Sequence, residues 1–167
     1  MSAPAGLWEF SLAFYARPGV APACLDLQAR LDADVNLLLA AVWCGLSGRG
    51  RLTAADLAAL AAAVATLQRD VVRPLRHARV ALRPLAGSDP ALASLREAIK
   101  RAELDAEREE QRALEGVIAP RAARDPAVDD AVANMTAYLT YLGAAATDSA
   151  LASSAPIPRA IADVARG

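Results

Sequence analysis

Two clusters of opposite charge hold the residues of this chain that are best suited to chemistry. Residues 69–83 contain five arginines and one aspartate, and residues 103–110 contain five acids and one arginine. Glu103, Glu107 and Glu110 share one face of a helix because they are spaced i, i+4, i+7. Guanidinium groups pair in a forked geometry with carboxylates and phosphates. The two clusters therefore predict either ion pairs with each other or a site for an anion.

The first interpretation is structural, and it is the one that we favour. Two antiparallel helices pack together, and the clusters meet as a ladder of ion pairs. In the second interpretation, several arginines converge on a small phosphorylated or carboxylated ligand while the acids hold the guanidinium groups in place. The residues of this candidate site are Arg73, Arg76, Arg79, Arg83, Glu103 and Glu107.

Asp34 and Asn36 form a second, smaller candidate site at the start of a predicted helix. The simpler interpretation is that Asp34 is the N-cap and Asn36 a polar residue of the first turn. The alternative is a polar pair beside free backbone N–H groups, which can hold an anion.

Metal or catalytic chemistry has little support in the sequence. The single histidine, His77, belongs to no Glu-x-x-His motif of the type found in di-iron helical bundles. Asp32 and Asp34 have no partner motif that would complete a magnesium site. We therefore expect no catalytic residue, no metal and no cofactor.

Composition limits the possible partners and the compartment. The net charge of −1 argues against nucleic acid or an anionic membrane as a partner. No apolar run reaches the ~18 residues that a membrane span needs, and Glu9 within the first apolar stretch argues against a signal peptide. Cys24 and Cys44 match no metal or redox motif and are predicted to be reduced core thiols. We expect a cytoplasmic protein without membrane insertion.

The elements that position these residues are predicted to be helices throughout. Leu57, Leu60, Val64, Leu67 and Val71 form one apolar stripe, and Pro74 predicts a kink or restart near Arg73. Thr53 with Asp56, and Asp89 with Pro90, are N-terminal signals. The predicted helices span 7–15, 22–31, 35–46, 54 to about 73, 74–83, 90–118 and 126–142.

The predicted fold is an all-α, single-domain bundle of about six or seven helices over residues 1–143. Trp8, Phe14, Leu27, Leu38 and Trp43 are expected in one core, and Leu25 is expected to point inward. Residues 144–167 show little periodicity and are predicted to form a mobile tail.

Several motifs resemble a family of short all-helical proteins found in proteobacteria and catalogued as a domain of unknown function. They are Trp8-x-Phe10-Ser11, Tyr15-x-x-Pro18-Gly19-Val20 and Asp34-Val35-Asn36-Leu37-Leu38-Leu39, followed by segments around Arg76–Arg79 and Glu103–Glu107. The resemblance covers roughly residues 7–142. It implies a helical fold and a bacterial, cytoplasmic setting, and it implies no activity.

The preferred functional hypothesis is a non-catalytic adaptor that binds another protein through an exposed groove or its N-terminal aromatic segment. The alternative is an enzyme or binding protein for a small anionic metabolite that uses the arginines of residues 69–83. RNA binding is a weaker third hypothesis because the acids balance the basic cluster.

Overall fold

The computed structural model describes residues 6–118, 127–143 and 154–166, and these ranges contain helices and no strand. This confirms the all-α prediction. In chain order the elements are α1 (Leu7–Tyr15), α2 (Val20–Leu31), α3 (Val35–Leu46), α4 (Ala54–Leu67), a π-helix (Gln68–Val72), α5 (Arg73–Ala81), α6 (Pro90–Val117), α7 (Val128–Tyr141) and α8 (Pro156–Arg166).

Capping residues set the starts of the helices. Thr53 and Asp56 form the predicted capping box at α4, in which each side chain accepts from the backbone N–H of the other residue. Asp89 caps α6 ahead of Pro90, and Asp34 caps α3 by accepting from two backbone N–H groups. The predicted start of the last helix, at residue 126, lies outside the described residues.

The helix restarts at Arg73, as Pro74 predicted. Pro74 has no N–H to donate, and its ring would crowd the carbonyl four residues earlier. The chain widens into the π-helix Gln68–Val72 immediately before α5. A π-helix turn contains one residue more than an α-helix turn, and this shifts the apolar stripe along the helix. As a result Val72 is buried and Val71 is exposed. The predicted inward position of Val71 is therefore wrong.

The core is centred on α3, in which every residue from Leu37 to Leu46 is buried. The most extensive helix pair is α3 with α7. Gly45 allows this approach, because a Cβ at that position would lie 2.2 Å from the backbone nitrogen of Ala131. Among the residues predicted for the core, Phe14, Leu27, Leu38 and Trp43 are buried there.

Trp8 and Leu25 differ from their predicted core positions. Trp8 is only partly buried, and Leu25 is exposed. Both residues line the same surface depression, which the sequence did not reveal because its far wall is supplied by α5 and α6.

In the described part of the chain, none of the helices has the length and apolarity that crossing a bilayer requires.

Helix α8 is the largest departure from prediction. Residues 156–166 were expected to belong to a mobile tail, yet they form a helix with Ile157, Ala160 and Ile161 buried. The expectation is wrong for these residues because the two isoleucines, spaced i, i+4, share one face and pack against the body. Helix α8 contacts α2, α3 and α7. Residues 144–153 lie outside the described ranges.

Candidate functional site

An open groove of about 460 Å³ lies between the N-terminal helices and the α5–α6 pair. We call it the α1–α6 groove. Its volume falls in the range of ligand-binding clefts, about 300–1,000 Å³. Three of its leucines are exposed although they are large and apolar: Leu12 on α1, Leu25 on α2 and Leu104 on α6, at 53%, 55% and 48%. The residues that line it include Trp8, Ser11, Leu12, Tyr15, Leu25, Asn36, Leu39, Arg76, Arg79, Lys100, Glu103, Leu104, Glu107 and Gln111.

One face of α6 forms a long side of the groove. Its lining residues run from Lys100 through Leu104 to Gln111 at spacings of three or four residues. With a rise of 1.5 Å per residue, this stripe is about 16 Å long. The groove is therefore elongated along α6, with the charged residues concentrated toward Lys100.

Arginine–carboxylate pairs hold this charged end together. Arg76 Nε donates to Glu103 Oε1 at 3.0 Å, and Arg76 Nη2 donates to Glu107 Oε1 at 2.8 Å. Arg79 also donates to Glu103, through Nε and through Nη2. The partners run in opposite directions along α5 and α6, so the helices are antiparallel. This is the ion-pair ladder of the structural interpretation.

The carboxyl group of Glu107 has a raised pKa because burial disfavours its charged form more than Arg76 stabilises it. Burial likewise raises the pKa of the Tyr15 hydroxyl on the opposite side of the groove. Both groups therefore sit in a poorly hydrated environment. In such surroundings, hydrogen bonds and ion pairs are stronger than they are in water.

Helices α1 and α6 also run antiparallel. The backbone N–H of Leu7 donates to Glu115 Oε2 at 3.3 Å. At the other end of α1, the charge of Glu107 contributes to the raised pKa of Tyr15. Ser11 on α1 and Gln111 on α6 lie between these two contacts along the chain, and both line the groove. The guanidinium carbon of Arg108 lies 5.5 Å from the centre of the Trp8 ring, within cation–π range.

A buried chain of polar side chains extends from the groove into the core. Gln111 Nε2 donates to Asn36 Oδ1 at 2.8 Å, and Asn36 Nδ2 donates to Glu110 Oε2 at 2.8 Å. The Glu110 carboxyl group in turn hydrogen-bonds the side chain of Asp34. Asp34 is tied to α7 as well, because its carbonyl oxygen accepts from the Tyr138 hydroxyl at 3.0 Å.

The pKa of the Glu110 carboxyl favours its protonated form at neutral pH. Burial and the nearby charge of Asp34 raise its pKa from 4.5 to about 9. The oxygen Oε1 of Glu110 finds no donor around it among the described residues, which fits an oxygen that itself carries the proton. The chain of donors then runs in one direction, from Gln111 through Asn36 and Glu110 to the Asp34 carboxylate.

The structure brings only some of the predicted site residues together. Five of them come together around the groove: Asn36, Arg76, Arg79, Glu103 and Glu107. Asp34 lies behind it as the N-cap of α3, and Arg73 instead pairs with Asp32 at 2.7 Å on another part of the surface. Arg83 is exposed after the end of α5, away from the groove lining, and His77 is an exposed residue of α5.

Sequence reasoning missed several residues that shape this site. Ser11, Leu12, Leu104 and Gln111 were not predicted to belong to a site, and Glu110 was grouped with the acidic cluster although it is fully buried. The signal that would have revealed the groove is a periodic series along one face of α6: Lys100, Glu103 or Leu104, Glu107 and Gln111.

Nothing in the described ranges suggests a metal centre: no group of three or more His, Cys, Asp or Glu side chains has a suitable arrangement there. Cys24 and Cys44 are buried free thiols. Burial raises the pKa of the Cys24 thiol to about 12, so this thiol is inert rather than nucleophilic.

Fold and site together define a small all-α protein with an elongated, partly apolar groove. The chain belongs to the family described as protein of unknown function (DUF2390), which matches residues 6–114. That match includes every residue that lines the groove, and α7 and α8 lie beyond it. No curated protein and no solved structure matches the chain.

Proposed function

We propose that this protein is a non-catalytic interaction module that binds an amphipathic helical segment of another protein in the α1–α6 groove. One observation carries the proposal: leucines from three separate helices, Leu12, Leu25 and Leu104, are exposed around a single depression. Exposed apolar residues that cluster in this way commonly mark an interaction surface.

The dimensions of the groove support a helical occupant. The stripe on α6 is about 16 Å long, which equals roughly three turns or eleven residues of an α-helix. Helices that bind in grooves use apolar anchors at i, i+3 or i+4, and i+7, and three turns provide such a set. The partner would therefore present one apolar face of a short helix.

The ion pairs favour this function over the binding of an anionic metabolite. Arg76 and Arg79 already donate to Glu103 and Glu107, at positions where both helices exclude much of the solvent. A phosphate would have to displace these carboxylates and leave them buried without a partner, which is costly. The same proposal puts the protein in the bacterial cytoplasm, where the buried cysteines would remain reduced.

The experiment is a selection of helical peptides from a displayed library on the wild-type protein. Binding of the selected peptides is then measured to Leu104→Arg and to the control Leu95→Arg. Leu95 lies on the same helix and is exposed to the same extent, 48%, but does not line the groove. We expect amphipathic peptides whose affinity falls at least tenfold in Leu104→Arg, a loss of about 1.4 kcal/mol, and is unchanged in Leu95→Arg. Peptides that bind both variants equally well would refute the groove as the site.

A further inference from the structure

Lys100 lines one end of the α1–α6 groove, and its charge is only weakly paired. Its Nζ atom lies 3.8 Å from Glu97 Oε2, close to the limit of about 4 Å for an ion pair. Glu97 is shared with a second cation, because Arg96 Nη1 donates to its other carboxylate oxygen at 3.1 Å. The Lys100 side chain is 63% exposed. Its ammonium group is therefore accessible to a charged group of an occupant.

The other charged residues that line the groove are already paired with one another. Both carboxylate oxygens of Glu103 accept from the arginines of α5, and Glu107 accepts from Arg76. These acids leave little for a cationic occupant to bind. The lining carries one surplus positive charge, since it contains three cations and two acids: Arg76, Arg79 and Lys100 against Glu103 and Glu107.

This surplus charge lies next to an apolar anchor of the groove. Lys100 and Leu104 are spaced i, i+4 on α6, so they share one face and are about 6 Å apart along the helix axis. Leu104 is one of the three exposed leucines around the groove. A helix that packs an apolar side chain on Leu104 therefore places a residue one turn away beside Lys100.

We propose that the partner helix carries an acidic side chain one turn from the apolar residue that packs on Leu104, and that this carboxylate pairs with Lys100. This inference rests on the proposed function and adds the charge of the partner. A lysine or arginine at the same place would be repelled by Lys100 and would find the groove acids already paired. Charge complementarity of this kind contributes more to the choice of partner than to affinity. The groove thus selects acidic amphipathic helices over basic ones.

The test uses a displayed library of peptides about three helical turns long. Leucine occupies positions i, i+3 and i+7, and every other position carries Glu, Gln or Lys in equal proportion. Binders are selected separately on the wild type, Lys100→Gln and the control Arg101→Gln. Arg101 is an exposed neighbour on α6 that does not line the groove, and both variants remove one positive charge. We expect enrichment of Glu one turn from a leucine on the wild type and on Arg101→Gln, and no such enrichment on Lys100→Gln.

The affinity of one selected peptide measures the pairing directly. Replacing the enriched Glu of the peptide by Gln should weaken binding to the wild type about two- to fivefold, as an exposed ion pair predicts. The same replacement should leave the affinity for Lys100→Gln unchanged. Lys100→Glu should reverse the preference, so that a peptide with Lys at this position binds more tightly than the one with Glu.

The outcomes separate this inference from the proposed function. Peptides that lose affinity for Leu104→Arg but show no enrichment of Glu would overturn the charge inference and leave the groove as a docking site. An enrichment of Glu that persists on Lys100→Gln would also overturn it. If no peptide binds, or if the peptides bind Leu104→Arg as tightly as the wild type, the groove is not the docking site and both proposals fail.

Discussion

Glu103 on α6 accepts hydrogen bonds from both Arg76 and Arg79 on α5, and its side chain is only 7% exposed. The Nε atom of Arg76 lies 3.0 Å from Glu103 Oε1, and the Arg76 side chain is 21% exposed. Because the acid is almost out of contact with water, its carboxylate oxygens depend on the two guanidinium groups for hydrogen bonds. This relationship fixes the spacing of α5 and α6 and thereby one wall of the α1–α6 groove.

The first prediction concerns this brace. Replacing Glu103 by Leu leaves two partly buried guanidinium groups without their acceptor, so we expect a loss of about 2–3 kcal/mol in the free energy of unfolding, at the lower end of the cost of breaking a buried pair. A double-mutant cycle of Glu103→Leu with Arg76→Met should give a coupling energy of about 1–3 kcal/mol. Denaturant unfolding measures all four proteins.

Arg112 and Glu109 provide the control cycle on α6, because their side chains are 79% and 57% exposed. Their coupling energy should stay below about 0.5 kcal/mol. Added phosphate should change neither cycle. Negligible coupling between Arg76 and Glu103, together with stabilisation of the wild type by phosphate, would instead support an anion site.

The second prediction is a pH dependence that arises from Glu110. Its pKa is raised from 4.5 to about 9 by burial and by Asp34, so the folded chain holds this proton more tightly than the unfolded chain does. The stabilisation is complete below about pH 4.5 and is lost as the pH rises toward 9. Glutamine at this position keeps a donor for Asp34 but cannot ionise.

We therefore expect Glu110→Gln to be more stable than the wild type at pH 8, by about 1–3 kcal/mol, with the difference shrinking toward pH 5. Thermal or denaturant unfolding across this range is the measurement. Glu109→Gln, a change at an exposed neighbour on the same helix, should follow the wild type. A Glu110→Gln variant that lost stability at every pH would show that the buried carboxyl is charged.

The third prediction concerns α8. Ile161 is fully buried against the body, and its truncation to Ala should cost about 2–5 kcal/mol through lost burial and the cavity that remains. Arg159→Ala, on the exposed side of the same helix, should change stability by less than about 0.5 kcal/mol. Equal melting temperatures for Ile161→Ala and the wild type would mean that α8 does not dock in solution.

Sequence patterns predicted the elements that depend on local chemistry. The capping box of Thr53 and Asp56, the N-cap Asp89 and the restart at Pro74 each rest on residues within a few positions of one another. The ion pairs of Arg76 with Glu103 and Glu107 were also expected, because helical spacing alone aligns these side chains.

Features that depend on contacts between distant segments were not predicted. Helical spacing placed Glu110 with the acidic residues of α6, but its burial results from Asp34 and Asn36, which lie more than seventy positions away. Leu25 fits the periodicity of a core residue, and it is exposed because none of the described helices covers the groove beside it. Ile157 and Ile161 lie in a segment of mostly small residues, and only the surface that receives α8 explains their burial.

The most direct test of the proposed function is site-specific photo-cross-linking in the native cell. A photoreactive phenylalanine derivative is placed at Leu104 in the groove or at Leu95, which is equally exposed on the same helix outside it. We expect one dominant cross-linked protein at position 104 that is absent at position 95. Mass spectrometry should map the cross-link to the apolar face of a helix in the partner. Identical cross-linking at both positions, or none at position 104, would contradict the claim that the α1–α6 groove binds another protein.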